Sequence, residues 1–360
     1  MAITLKELAD HLGLSTAAVS KALCGKSDIS AQTRERVQAA AKKLGYSPNY
    51  SAKKLRQGHT SMVALMLPSM TENAFHTSPF FMQLNYGLET VLMSQGYHST
   101  LLQGLDDKDQ LEKIKWLCEG HVVDAIILMD TLVKDPRINY LKKCKFPFVC
   151  MGRTGKLQNV SFVDMDHAQM VADAVAYALS LGKKRIAALP IEEESAYSEV
   201  FVAGYKAALA AHGLEYVPEY VVHASHDLHS GFTAMQQLMA LPEPPDFVVC
   251  LNDLQLASAL SYFHRLGQKP IEMVCCIISS ASFGFFNPAS HYFALDLVHM
   301  GKLLGKAVLH ELQDRGKKGY TAMQEIVPVE FKKYDLLPLQ GVQGVATAAA
   351  AAAVAVHSGT

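Results

Sequence analysis

At 360 residues, half of them hydrophobic and 19% charged, the chain has the composition of a globular protein with room for two or three well-buried domains. Seven cysteines without CxxC spacing, mostly in apolar runs, read as reduced core thiols in a cytoplasmic protein, and no apolar run of about 18 residues suggests export or a membrane span. The formal net charge of −1 hides a split: residues 1–60 hold ten Lys/Arg against four Asp/Glu, leaving an acidic remainder, as expected of a phosphate-binding module on an acidic body.

In chain order, Thr4 and Glu7 have capping-box spacing, and Leu5, Leu8, Ala9 and Leu12 follow on one helical face, with Gly13 placed to stop the helix. Ser15 can cap a second helix over 16–23 that turns Val19, Ala22 and Leu23 inward. A third helix spans about 30–44, with Val37, Ala40, Ala41 and Leu44 inward and Gly45 as its stop. The Gly13–Leu14 link fits only a sharp helix-turn-helix. On the second helix Thr16, Ala17, Ser20 and Lys21 fall on the outer, N-terminal side. There, short hydrogen-bonding side chains and a cation can read base edges in a major groove. Beyond the break at Tyr46-Ser47-Pro48-Asn49 comes a short basic helical stretch in which Leu55 stands between Lys53, Lys54 and Arg56. A leucine among cations suits a wedge in a minor groove whose neighbours hold phosphates.

The segments at 3–9, 14–23 and 33–49 closely resemble the headpiece of the lac repressor (LacI) family, and 52–58 is similar to that family's hinge helix. Cys24 departs from the asparagine usual there. The resemblance implies a transcription regulator that binds a pseudo-palindromic double-stranded DNA operator as a homodimer, or as a tetramer built from it. The expected DNA contacts are Thr4, Ser15, Thr16, Ala17, Ser20, Lys21, Lys26, Tyr46, Asn49, Lys53, Leu55 and Arg56. On this reading 1–47 is the headpiece and 48–60 the hinge.

Strand-like apolar runs recur at 61–68, 98–102, 124–129, 146–151, 160–164, 185–189, 220–223, 247–251 and 274–278, with amphipathic segments between most of them. Such alternation argues for parallel α/β sheets, two of them given the length of the series, with ligands at the strand C-termini. Local patterns extend the resemblance to about residue 335. They imply a two-lobed, periplasmic-binding-protein-like effector and dimerisation domain over 61–335. The lobes are placed at about 61–162 plus 292–325 and about 163–291 plus 326–340, followed by a low-complexity Ala-rich tail at 341–360.

The expected effector-binding residues are Phe80, Phe81, Asp130, Phe201, His226, Asn252, Asp253 and Ser280. Phe80 and Phe81 match first-lobe positions that pack on effectors, and Asn252-Asp253 matches a second-lobe polar pair. Phe201, however, stands where many members place an arginine, and Ser279 or Ser280 where an aspartate is usual. Losing both removes the groups best suited to sugar hydroxyls or purine edges. Arg153, Lys183 and Lys184 are cations without an assigned role. The effector is still expected to be carbohydrate-related. The alternative is a body that binds a protein partner or needs no small molecule. His223, His226 and His229 lie in a spacing that scatters imidazoles along a strand, so no metal is expected. No cofactor is expected, and neither Cys275-Cys276 in an apolar run nor any GxSxG, P-loop, HExxH or GxGxxG motif suggests an enzyme.

Overall fold

The structure, a computed structural model, describes residues 3–23, 29–46, 59–68, 79–153, 159–191, 194–225, 229–277 and 291–333. The expected DNA contacts Lys26, Asn49, Lys53, Leu55 and Arg56, the pocket residues His226 and Ser280, and the stretch 341–360 lie outside the described residues. The chain divides into two compact units, Met1–Ser61 and Met62–Thr360.

Three helices build the first unit: α1 (Leu5–Leu12), α2 (Thr16–Leu23) and α3 (Ala31–Lys43). A hydroxyl sets each start. Thr4 caps α1 in a complete capping box with Glu7, the Ser15 hydroxyl accepts the Ala18 N–H at 3.1 Å, and Ser30 accepts that of Thr33 at 3.2 Å. Gly13, at φ 64°, takes the left-handed conformation that ends α1 and allows so short a link. The helices close over a small core of Leu8, Ala9, Leu12, Val19, Ala22, Val37 and Ala41.

The second unit holds two sheets. In the first, β1 (Met62–Leu67), β2 (His98–Gln103), β3 (Ala125–Leu128), β4 (Phe148–Met151), β5 (Phe162–Met165) and β10 (Gln324–Val327) run parallel in the order β10-β5-β4-β3-β1-β2. The second joins β6 (Ile186–Leu189), β7 (Phe247–Asn252), β8 (Glu272–Ile277), β9 (His291–Ala294) and β11 (Glu330–Lys333) in the order β11-β9-β8-β7-β6. Only its β9–β11 pair is antiparallel.

Helices cover both faces, so the central strands are apolar on both sides. Val63, Leu65 and Leu67 of β1 enter one core with residues of α4 (Phe80–Ser94) and α11 (Leu297–Asp314). The alternate Ala64 and Met66 face α5 (Asp107–Glu119) and α6 (Pro136–Lys143). The second sheet repeats the scheme. Val249 and Leu251 share a core with α7 (His167–Ser180) and α8 (Ala196–Ala211), and Val248 and Cys250 pack with α9 (Ser230–Met239) and α10 (Asp253–Leu266).

The chain crosses between the lobes three times, after β5, after β9 and after β10. Three details depart from the sequence reading. First, β9 belongs to the second sheet, so the second crossing falls at residues 295–296 rather than near 291. Second, residues 220–223 form no strand: a 3-10 turn at Pro218–Tyr220 leaves only a single bridge between Val221 and Ala188. Third, β9, β10 and β11 escape the apolar-run criterion because they are short and lie at or next to a sheet edge. Among the described residues no helix is long and apolar enough to cross a membrane.

The α4–α11 crossing is the tightest in the first lobe. A Cβ on Gly87 would meet the Val298 carbonyl oxygen at 2.0 Å, and one on Gly301 the Leu84 carbonyl oxygen at 2.0 Å. Backbone cannot yield as a flexible side chain can. Gly301→Val is therefore expected to push the helices apart at a cost of about 3 kcal/mol, read as a lowered melting temperature. A melting curve matching the parent's would contradict this packing.

Candidate DNA interface and inter-lobe site

The buried face of α2 carries Val19 and Ala22, which leaves Thr16, Ala17 and Lys21 exposed and Ser20 half-buried on the other side. Ser15 is exposed at the start of the same helix. These residues thus share one solvent-facing strip, fixed in direction by the core beneath it. Thr4 is also exposed, but its hydroxyl donates to the Glu7 carboxylate at 2.8 Å and its N–H donates at 2.7 Å, so capping accounts for its polar atoms. Those bonds hold the Glu7 carboxyl below its usual range. Tyr46 is half-buried, its ring laid against the headpiece core. Arg36 donates to the Leu12 carbonyl at 2.9 Å and ties α3 to the end of α1.

In the body, the C-terminal ends of β3 and β6 lead into loops that meet across the lobes. The Val133 N–H donates to the Glu194 carbonyl and the Ala196 N–H to the Thr131 carbonyl, each at 2.9 Å, with Leu132 and Ser195 forming an antiparallel bridge. Asp130 opens the first of these loops at φ 49°, a left-handed conformation uncommon outside glycine. Its carbonyl accepts from Arg137 at 2.7 Å. Arg137 also pairs with Asp135 at 2.7 Å and donates to Gln110, all three side chains being buried.

A second group of polar side chains surrounds the first crossing. Asp164, at the end of β5, lies 3.3 Å from the Arg153 guanidinium and 3.4 Å from the His167 ring. The His167 ring stacks on Tyr197 of α8, with centroids 5.5 Å apart and planes 20° apart. Asp164 Oδ2, His167 Nδ1 and the hydroxyls of Ser195 and Ser198 are buried and make no hydrogen bond within the protein. Buried polar atoms left in this state are rare unless water or a ligand serves them.

The remaining expected pocket residues fall as follows. Phe80 and Phe81 open α4 with their rings in edge contact at 5.4 Å. Asn252 caps α10, its side-chain Oδ1 accepting the Gln255 N–H at 2.9 Å, and Asp253 begins that helix half-buried. Phe201 is a correction: its ring is fully buried in the core shared by α8 and the second sheet, where it fills volume and presents no surface to a ligand. Four residues of the site escaped the sequence reading. Asp164 and His167 meet Arg153 and Tyr197 only through topology, and Ser195 and Ser198 lie either side of Tyr197 in sequence, with no local motif. Gln255 did carry a signal, since Asn252 and Gln255 have capping-box spacing. Its buried side chain donates to the Ala224 carbonyl at 2.6 Å and accepts the Leu251 N–H at 2.9 Å, which knits the strand ends of the second lobe.

A helix-turn-helix unit joined to a two-lobed α/β body defines a DNA-binding transcription regulator. Residues 4–49 match the family described as bacterial regulatory proteins, lacI family, and residues 61–303 match the periplasmic binding proteins and sugar binding domain of LacI family. The chain is 33% identical to the HTH-type transcriptional regulator RafR of Escherichia coli over 278 residues, covering 76% of this chain and 81% of that protein. It is 25% identical to the regulator MalR of Streptococcus pneumoniae, covering 91% and 98%. Its fold is similar to that of the lac repressor dimer bound to operator and the anti-inducer ONPF, with a TM-score of 0.77 at 19% identity, over 93% of this chain and 99% of that one. A CelR–cellobiose complex gives 0.68 at 23% identity, over 93% and 100%. The chain belongs to the LacI family of transcription regulators.

The Asp135–Arg137 pair supports a direct measurement. Asp135→Ala is expected to lower stability by about 3–5 kcal/mol because it strands a buried guanidinium, seen as a reduced urea midpoint. Asp135→Ala combined with Arg137→Met should recover much of that loss. Equal midpoints for the two variants would mean that the ion pair is not what holds the loop.

Proposed function

We propose that this regulator binds a pseudo-palindromic operator as a homodimer and that a carbohydrate-related metabolite, held between the lobes, alters its operator affinity. The observation that carries the effector reading is the set of buried polar atoms on His167, Ser195 and Ser198 without a hydrogen bond in the protein, together with the Arg153–Asp164 pair at the first crossing. Arg153 and Asp164 offer a guanidinium and a carboxylate there, the two chemistries that Phe201 and Ser280 no longer provide. Sugar hydroxyls both donate and accept, so they can serve the carboxylate, the imidazole and the serine hydroxyls together. Phe80 and Phe81 supply an apolar wall for a sugar face, and Asp130, Asn252 and Asp253 supply further polar groups at strand ends. The family's sugar-binding description and the cellobiose title of a similar structure support the same class.

Such a ligand touches both lobes and stabilises the arrangement in which they close on it. A shift between two lobe arrangements then changes operator affinity in proportion to the ligand's preference for one of them. Control of this kind needs no chemistry on the ligand, in keeping with a family of regulators rather than enzymes.

On the DNA side, Thr16, Ala17 and Lys21 read bases from the exposed strip of α2, with Ser15 and Ser20 beside them. Lys26, Asn49, Lys53 and Arg56 hold phosphates, and paired Leu55 side chains wedge the operator centre. Lys21→Ala, measured on an operator selected from random duplexes, is expected to lose about 1–3 kcal/mol of affinity, roughly five- to 150-fold. An equal loss on unrelated DNA would assign Lys21 to phosphate contact instead.

For the effector, thermal-shift screening against mono- and oligosaccharides should raise the melting temperature with at least one sugar. Asp164→Asn should abolish that rise while operator binding persists. No shift with any sugar, in a protein that still binds its operator, would overturn the effector reading.

A further inference from the structure

Beyond residue 60 the chain is acidic, with 23 Lys/Arg against 30 Asp/Glu, yet two stretches of it, 142–145 and 315–318, hold six cations and no acid. The fold joins the two. Lys142 and Lys143 end α6, and Lys145 follows in a turn closed by the Phe146 N–H, which donates to the Leu141 carbonyl at 3.0 Å. Arg315, Lys317 and Lys318 come directly after α11. The Arg315 guanidinium donates to the Phe146 carbonyl at 2.8 Å and lies 5.8 Å from the centroid of the Phe148 ring. One basic turn is thereby set against the other.

The acids at this end are already engaged. Glu311 is buried and accepts from Ser161 at 2.5 Å, from Tyr320 and from Arg315 at 3.2 Å, which fixes the Arg315 turn from beneath. Asp314 lies 2.9 Å from Lys317 and 3.1 Å from the His310 ring, and Glu119 accepts from Tyr140 at 3.2 Å. Lys142, Lys143, Lys145 and Lys318 are exposed and form no ion pair among the described residues. The helix macrodipole favours lysine in a last turn, which accounts for Lys142 and Lys143. It does not account for Lys145, Lys317 and Lys318, which lie past the last turns. Like charges gathered this closely repel one another, and an anion laid over them removes that cost.

Sheet register fixes where the cations lie. Val63 of β1 pairs with Ala125 of β3, and Ile126 with Phe148 of β4. Pro147 is thus level with Val63 and two strand spacings, about 10 Å, away from it. The basic turns therefore sit at the end of the first lobe where the chain arrives from the headpiece. Residues 47–61 join that point to the headpiece helices, a tether of at most about 50 Å even when fully extended.

We propose that this end of the first lobe is a second, sequence-independent DNA contact, in which the six cations meet phosphates of the duplex beside the bases that α2 reads. It rests on operator binding by the headpiece, which brings the duplex within the length of that tether. Cations spread over two turns suit a polyanion of regular charge spacing, and duplex DNA carries one charge per about 1.7 Å of its axis. None of the six is among the expected base or effector contacts, so the patch adds affinity without sequence preference.

The test titrates the full-length protein with a duplex that carries the selected operator at its centre, and with an unrelated duplex, over a range of salt concentrations. Lys142→Gln, Lys143→Gln and Lys145→Gln combined should weaken binding to both. Each lost phosphate contact makes the plot of log affinity against log salt shallower by about 0.9, so the expected change is about 2–3. Lys317→Gln with Lys318→Gln, on the other turn, should act in the same direction. Lys184→Gln, Lys206→Gln and Lys269→Gln combined remove the same charge from the second lobe and should keep the parent's slope. Matching melting temperatures establish that the variants fold. The proposal is overturned if both first-lobe variants keep the parent's slope, or if the second-lobe variant changes it equally. A parent that binds both duplexes alike would contradict the headpiece reading instead, and the slopes on unrelated DNA would still decide the patch.

Discussion

One buried ion pair fixes the part of the body on which the arrangement of its lobes depends. Arg137 is 3% exposed and Asp135 5%, and their contact is bidentate, with Gln110 and the Asp130 carbonyl taking up the other guanidinium protons. Asp135 meanwhile accepts the N–H groups of Leu132, Arg137 and Ile138. The loop between β3 and α6 is thereby given one shape. Its backbone is what pairs with residues 194–196 of the second lobe. One contact between the two lobes is thus made by a loop whose shape is set by hydrogen bonds inside the first. A buried pair of this kind adds little net stability over apolar packing, but it penalises any other loop conformation, since that would strand a charge.

The same economy is visible in the headpiece. Seven buried residues form its core, and helices of eight residues hold poorly by propensity alone. Caps therefore matter more here than in the body, and each helix start is secured by a threonine or serine. Rigidity at that scale gives α2 a fixed exposed strip, which a base-reading helix requires.

Much of this was legible in the sequence, for reasons that can be traced residue by residue. The headpiece helices follow from local signals, the Thr4–Glu7 box, Ser30 and Gly13 among them, which act within one turn. The central strands follow from apolar runs that two covered faces impose, as in Val63–Leu67. The strands at 291–294, 324–327 and 330–333 lack that signature, since they are short and lie at or next to a sheet edge, where the demand for apolar residues on both faces relaxes. Phe201 illustrates the limit of comparison by position: a residue aligned with ligand-contacting arginines is, in this chain, core. Asp164, His167, Ser195 and Ser198 mark the other limit. They lie up to thirty-four residues apart, and only the crossing of the chain between two sheets brings the Asp164–His167 pair against Tyr197, which Ser195 and Ser198 flank in sequence.

The three crossings have a bearing on how the protein is made. The first lobe is not a continuous stretch of chain: α11 covers its sheet and β10 closes its edge, yet both follow nearly the whole second lobe in sequence. A nascent chain that has released residues 62–165 holds five strands with one sheet face still lacking α11. The second lobe is finished later still, because its β11 follows β10. Folding on the ribosome must therefore hold an incomplete first lobe through the synthesis of some 160 further residues, which makes the body a single late-closing unit and its unfinished first sheet a natural client for chaperones.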